Sequence, residues 1–469
     1  MKKSILLLLI LFFTGIMEAQ ERTQPIAGKS PTVQLKSPHT FVLSNGLKVF
    51  VVENHKLPKV TFNLTLDNAP YPEGEKKGVD ELCSSLIGNG SKNISKDDFN
   101  EEIDFLGATL GFSSQGSYAS CLSKYAGRIL ELMADGALHP NFTQEEFEKE
   151  KTKLIESLKI QEKSTPAIAN RVADILTFGK LHPSGEFTSV KTVNAISLED
   201  IKTLYSNYFV PENAYLVIIG DVKYKTIKPI VEKLFGKWEK KSTPKSSYSN
   251  PENVAYTQIN FVDVPNAVQS EITFVNSINL KMNDPDFFAA VFATHILGGD
   301  FNSYLNMNLR EAHAWTYGAS ATVGSGKYVS KLSCKSAVRN AVTDSAVVEF
   351  IKEIKRIRNE KVNPELLQNA KAGYIGRFVM KSQQPQAIAR YALYTETENL
   401  PKDFYKNYIK NINAVTPEEV QTAANKYILS DNMRIVIVGK ASEVLPGLEK
   451  LNIPIFYFDN QGNPTNKPL

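Results

Sequence analysis

The sequence predicts an α+β protein made of two similar tandem domains. Three observations carry this. A 28-residue stretch, 193–220, recurs at 412–439 with a fixed offset of 219 residues and nine identities. Short β-branched runs alternate with helical periods. A polar Ser/Pro/Lys stretch, 238–257, separates the copies and reads as a linker. Length alone, at roughly 150 residues per domain, suggests about three domains; the recurrence reduces this to two, at 36–237 and 258–458.

The elements follow in order. Lys2 and Lys3 precede an apolar run over residues 5–13, and Met17-Glu18-Ala19 offers a cleavage site before Gln20. Residues 1–19 therefore read as a signal peptide, and the mature chain as exported, periplasmic and soluble. Asn45-Gly46 predicts a hairpin-type turn, with strands over 48–53 and 60–66. Residues 78–86 read as a helix, because Val79, Leu82, Cys83 and Leu86 fall at i, i+3, i+4 and i+7. Residues 108–125 predict paired strands. Residues 144–163 predict a long charged helix with Phe147, Leu154, Ile155 and Leu158 inward. In each recurring stretch Ser197 or Thr416 caps a helix, an Asn-containing turn follows, and an apolar strand ends at Gly220 or Gly439.

Composition excludes several classes. There are 54 Lys+Arg against 50 Asp+Glu, a net +4, too weak a field to hold nucleic acid. No 18-residue apolar run occurs beyond the N-terminus, so no integral membrane segment remains after signal cleavage. Three cysteines exclude a disulfide scaffold and a four-cysteine zinc module. Cys83 and Cys121 fall on packed elements and form either a disulfide or two buried thiols; Cys334 is left over. Leu297-Gly298-Gly299 lacks the Lys-Ser/Thr of a phosphate cradle, which argues against nucleotide binding.

Leu43-Ser44-Asn45-Gly46-Leu47-Lys48-Val49, the helix after Gly78, the 198–220 stretch with Tyr-x-x-Pro-x-Asn, Leu297-Gly298-Gly299, and Leu309-Arg310-Glu311 through Tyr317 occur in this order. Together they resemble the insulinase/pitrilysin metallopeptidase family over roughly residues 40–440. The resemblance implies two similar domains, each a mostly antiparallel sheet with helices on one face. It also implies pairing of such chains into a clamshell around an extended peptide.

The resemblance also exposes a departure. Active members carry His-x-x-Glu-His on the helix after the glycine: two imidazoles one turn apart hold zinc, and the Glu is the base. Here Glu81, Ser84 and Ser85 stand at the first His, the Glu and the second His. Ser157 stands at the third, distant ligand; a one-residue slip would make it Glu156. All six histidines lie more than ten residues apart, so no helix presents two on one face. No metal and no catalytic residue is expected in this chain.

The second-half pattern Arg-Glu-x-x-x-x-x-Tyr persists as Arg310 and Tyr317, with Ala314 replacing the loop's usual Gly. In the family's paired branches the inactive partner contributes these two residues to substrate binding. The resemblance therefore implies a non-catalytic subunit that closes the peptide chamber of a zinc-bearing sister chain, with zinc only in that partner. The alternative is a catalytically dead clamshell acting as a periplasmic peptide-binding or scaffold protein. Arg310 and Tyr317 have a bland reading too, as a helix-end cap and a packed ring.

Overall fold

A computed structural model describes residues 37–468. The expected signal peptide, 1–19, lies outside the described residues.

The first half holds a six-stranded sheet. Its strands are β1 (His39–Val42), β2 (Lys48–Glu53), β3 (Lys59–Leu66), β4 (Thr109–Ser113), β5 (Gly116–Leu122) and β6 (Ala214–Gly220). Their spatial order is β1-β2-β6-β3-β5-β4. Only β2 and β6 run parallel; the other pairs are antiparallel. The helices are α1 (Val79–Leu86), α2 (Lys96–Phe105), α3 (Ala126–Leu138), α4 (Gln144–Gln161), α5 (Thr165–Phe178), α6 (Val190–Asn194), α7 (Leu198–Tyr208) and α8 (Tyr224–Phe235).

The second half repeats the plan. Its sheet comprises β7 (Gln258–Asp263), β8 (Gln269–Ile278), β9 (Ala319–Val323), β10 (Ser330–Arg339), β11 (Arg434–Gly439) and β12 (Ile455–Phe458). The order is β12-β7-β11-β8-β10-β9, which matches the first sheet except that the edge strand comes from the C-terminal end. Its helices are α9 (Phe287–Thr294), α10 (Thr343–Asn359), α11 (Pro364–Ser382), α12 (Pro385–Thr397), α13 (Tyr408–Ala414), α14 (Pro417–Tyr427) and α15 (Ala441–Leu448).

Alternation explains which face each sheet buries. Along β3, Val60, Phe62, Leu64 and Leu66 are buried, while Thr61, Asn63 and Thr65 are half-exposed. The buried set meets Leu82 and Cys83 of α1, Ile129 and Leu130 of α3 and Phe147 of α4 in one core. Strand β6 breaks the alternation, because all seven of its residues are buried. A strand buried on both faces needs cover on both.

That second cover crosses between the halves. Ala389 and Leu393 of α12 pack on Phe50 and Val52 of β2 and on Tyr215, Val217 and Ile219 of β6. Reciprocally, Ile168, Ala169, Val172 and Ala173 of α5 pack on Val262, Val275, Val436 and Val438 of the second sheet. Helices were expected on one face of each sheet; the opposite face takes one helix from the other half. Lys48–Glu396 (2.9 Å) and Lys331–Asp174 are ion pairs that flank the two crossed contacts.

The recurrence extends to tertiary hydrogen bonds whose acceptors keep the 219-residue offset and whose donor lysines are 220 residues apart. Lys151 of α4 donates to the carbonyls of Asn194 (3.2 Å) and Ile196 (2.7 Å). Lys371 of α11 donates to those of Asn413 (3.1 Å) and Val415 (2.5 Å). Between the halves, residues 239–257 form no helix or strand. They are nonetheless tied down: Lys241 donates to the Ser206 carbonyl (2.9 Å), and Asn253 donates to that of Ser277 (3.0 Å). Among the described residues no helix is long and apolar enough to cross a membrane.

Candidate functional site

Helix α1 starts at Gly78, whose φ is +106°. A Cβ there would lie 2.6 Å from Thr188 Cγ2, so the position takes glycine for both conformation and space. Glu73 supplies the cap that glycine lacks: its Oε2 accepts from the N–H groups of Gly78 (2.9 Å) and Asp80 (3.1 Å). Glu186 in turn accepts from the N–H groups of Glu73 and Gly74, both at 2.9 Å. Lys77 pairs with Glu73 at 2.5 Å. Tyr71 donates to Asp80 (2.8 Å) and stacks on Tyr208 at 3.8 Å. Sequence reasoning missed this frame, because Glu73 and Glu186 are distant in the chain and neither belongs to a local pattern.

The substituted positions are spent on local bonds. Burial raises the Glu81 carboxyl pKa, opposed by a hydrogen bond with Thr188. Ser84 Oγ sits 2.8 Å from Ser114 Oγ and accepts the Ser114 N–H at 3.0 Å, which ties α1 to the β4–β5 turn. Ser85 donates back to the Glu81 carbonyl at 3.1 Å. Ser157 lies exposed on α4, which packs beside α1, and accepts from Gln161 (3.2 Å). One carboxylate and three hydroxyls are not a zinc donor set, which needs imidazole nitrogen or thiolate sulfur beside any carboxylate. Among the described residues no group of three or more His, Cys, Asp or Glu side chains is placed to hold a metal ion. The residues present do not fit the zinc of the resembled enzymes.

The histidines are dispersed. His182 and His295 are buried, and burial lowers the pKa of each. His55 lies on the surface, 2.6 Å from Asp221. The three cysteines are buried free thiols, with burial pushing Cys121 up to about 11 and Cys334 up to about 12. The thiol reading of Cys83 and Cys121 is the one the structure contains.

The second constellation lies between a π-helical turn, Asn306–Ala312, and β9. Buried Asn306 fastens it: its amide donates to the carbonyls of Asp300 (3.0 Å) and Ala319 (2.8 Å), and its oxygen accepts the Ala319 N–H (2.9 Å). Leu305 and Leu309 are fully buried beneath the turn. Arg310 is half-exposed above it, with its guanidinium 4.5 Å over the Phe301 ring and 3.5 Å from Glu311. His313 and Trp315 stack at 4.1 Å. Ala314 stands at φ +51°, the left-handed region where glycine is favoured. Tyr317 is 94% exposed. Its ring is not packed at the strand start, so the bland reading of this residue lacks a contact.

Two family models match. Insulinase (peptidase family M16) matches residues 48–182, and the peptidase M16 inactive domain matches residues 195–374. Together they span well over half of the sequence. The chain belongs to peptidase family M16. The M16 chain is 21% identical over 284 residues to the "uncharacterized zinc protease YmxG" of Bacillus subtilis, covering 59% of this chain and 68% of that one. It is 19% identical over 449 residues to the "non-peptidase homolog YmxG" of Helicobacter pylori, covering 93% and 98%. In fold it is similar to a peptidase M16 inactive domain from Pseudomonas fluorescens, with a TM-score of 0.77, 20% identity and coverage of 86% and 98%. It is equally similar to a Helicobacter pylori protease, with a TM-score of 0.77, 17% identity and coverage of 87% and 100%. The M16 fold is thus retained by a chain whose α1 carries none of the family's His-x-x-Glu-His residues.

Proposed function

We propose that this M16 chain is the exported, non-catalytic subunit of a zinc peptidase. It closes the peptide chamber of a zinc-bearing sister subunit and presents Arg310 and Tyr317 to the bound peptide. The observation that carries the reading is the contrast between two places in one fold. Helix α1 carries no histidine, and its serines bond to their neighbours. The Arg310–Tyr317 turn is built on a buried asparagine and holds a 94% exposed phenol outward. A guanidinium can hold a substrate carbonyl or carboxylate through paired donors. A phenol can donate to the oxyanion that develops when water attacks a peptide bond. The name of the Helicobacter pylori relative, a non-peptidase homolog, is in keeping with the non-catalytic part of this reading.

The test is purification from the native periplasm. The expected result is co-elution with a chain of similar size bearing His-x-x-Glu-His, with zinc and chelator-sensitive peptide hydrolysis only in the pair. Near one zinc per chain in the isolated protein, with hydrolysis, would sink the reading. Elution alone from cells that express such a sister would shift it to a peptide-binding scaffold.

A further inference from the structure

The second half contains a surface recess of about 530 Å³ beside the start of α9 and the loop 401–407. Phe288 and Phe404, stacked at 5.9 Å, form an apolar wall. Asp284, Asp286, Asp403 and Glu419 stand around it, and no lysine or arginine is among the described residues that line it. Asp286 is already paired with Lys426 at 2.7 Å. The other three form no ion pair among the described residues; Asp284 accepts a backbone N–H from Lys281 (2.8 Å), and Asp403 accepts from the Asn407 amide (2.7 Å).

The first half supplies an internal comparison. Asp200 of α7 and Glu419 of α14 are 219 residues apart and hold the same place in a capping box. One oxygen of each closes that box: Asp200 accepts the Ser197 N–H (2.9 Å), and Glu419 accepts the Thr416 N–H (2.8 Å). The second oxygen of Asp200 is taken by Lys76, carried on the chain's own turn Gly74–Lys76. The second oxygen of Glu419 has no hydrogen-bond partner among the described residues, and Glu419 lines the recess. The first half therefore fills with its own lysine a position that the second half leaves open.

We propose that this recess docks a lysine- or arginine-bearing segment of another polypeptide. A lysine or arginine stem is apolar and lies along the phenyl rings, while its charged head reaches the carboxylates. The volume exceeds one side chain, which suits a short segment rather than a lone cation. A metal ion is disfavoured, because no three of these carboxylates come together to share one. The proposal does not depend on a zinc-bearing partner.

The probes are the peptide Ac-Ala-Lys-Ala-amide and its counterpart with norleucine, which keeps the stem and removes the charge. Each is titrated into the full chain at low salt and followed by NMR. The lysine peptide should bind at least tenfold tighter than the norleucine peptide, and 0.5 M NaCl should weaken it several-fold. Asp403→Asn with Glu419→Gln should weaken it at least fivefold while the melting curve stays in place, since glutamine keeps the cap acceptor. Asp403→Asn alone, outside any helix, should give part of the same loss. Equal binding of the two peptides, unchanged affinity in the variants, or no saturable binding would overturn the proposal.

Discussion

Tyr317 carries the oxyanion donor of the proposed pair, and its exposure makes it separable from the fold. Tyr317→Phe keeps the ring and removes the hydroxyl. In the reconstituted pair, turnover should fall by about 10²–10³-fold, the usual effect of deleting one such donor. Arg310→Ala removes an anchoring charge and should raise KM at least as much as it lowers kcat. Both variants should assemble and melt as wild type does. Full activity in both, measured on an unstructured peptide, would make the pair structural. Ala314 offers a test of the turn itself. Alanine at φ +51° lies in a region that costs L-residues about 1–2 kcal/mol. Ala314→Gly removes this strain but adds unfolded-state entropy, for a net gain of up to ~1 kcal/mol. Urea unfolding reads this; a loss of stability would mean that the methyl group packs.

At the scale of the element, α5 is the informative case. Ile168 is 2% exposed and belongs to the crossed contact with the second sheet, not to the core of its own half. Ile168→Ala should cost roughly 2–5 kcal/mol, as deletion of a buried aliphatic chain does. A loss below ~1 kcal/mol in denaturant unfolding would show that α5 is loosely seated. The β2–β3 turn gives a pH test. The hydrogen bond with Asp221, helped by Glu53 at 3.5 Å, raises the His55 pKa above its ordinary 6.5. A raised folded pKa stabilises the protein fully below the unfolded value near 6.5, and the increment is lost as pH rises through the folded value. The drop in Tm between pH 6 and pH 9 should therefore be larger in wild type than in His55→Gln. An identical drop would remove His55 from the account.

The whole molecule is two sheets held together by an exchange of helices. The described halves belong to one compact unit. Brief trypsin treatment should cut near Lys240 or Lys245, where no regular structure protects the backbone. The two fragments should nevertheless co-elute in native size exclusion, because α5 and α12 each remain buried in the other half. They should separate only in denaturant. Separation in native buffer would show that the crossed contacts are weak, and early cutting within α4 would contradict a division of the chain at 238–257.

By itself, the sequence determined the local structure and what chemistry α1 lacks. The period of Val79, Leu82, Cys83 and Leu86 set α1 and its buried face. Ser197 and Thr416 announced the caps that appear in full. Glu81, Ser84, Ser85 and Ser157 put one carboxylate and three hydroxyls where the resemblance implies zinc ligands and a base, and that much is legible because donor chemistry is a property of side-chain type. Only the tertiary structure decided what each surface meets. The apolar run of β6 read as a buried strand, but it did not show that both its faces are covered or that α12, from the other half, covers one of them. Glu73 capping α1 while Glu186 holds its loop, and Lys76 on Asp200 against an open Glu419, were equally hidden. Periodicity reports whether a residue is buried, since solvent and protein divide each element lengthwise. It carries no address for the partner, which the path of the chain over more than a hundred residues assigns.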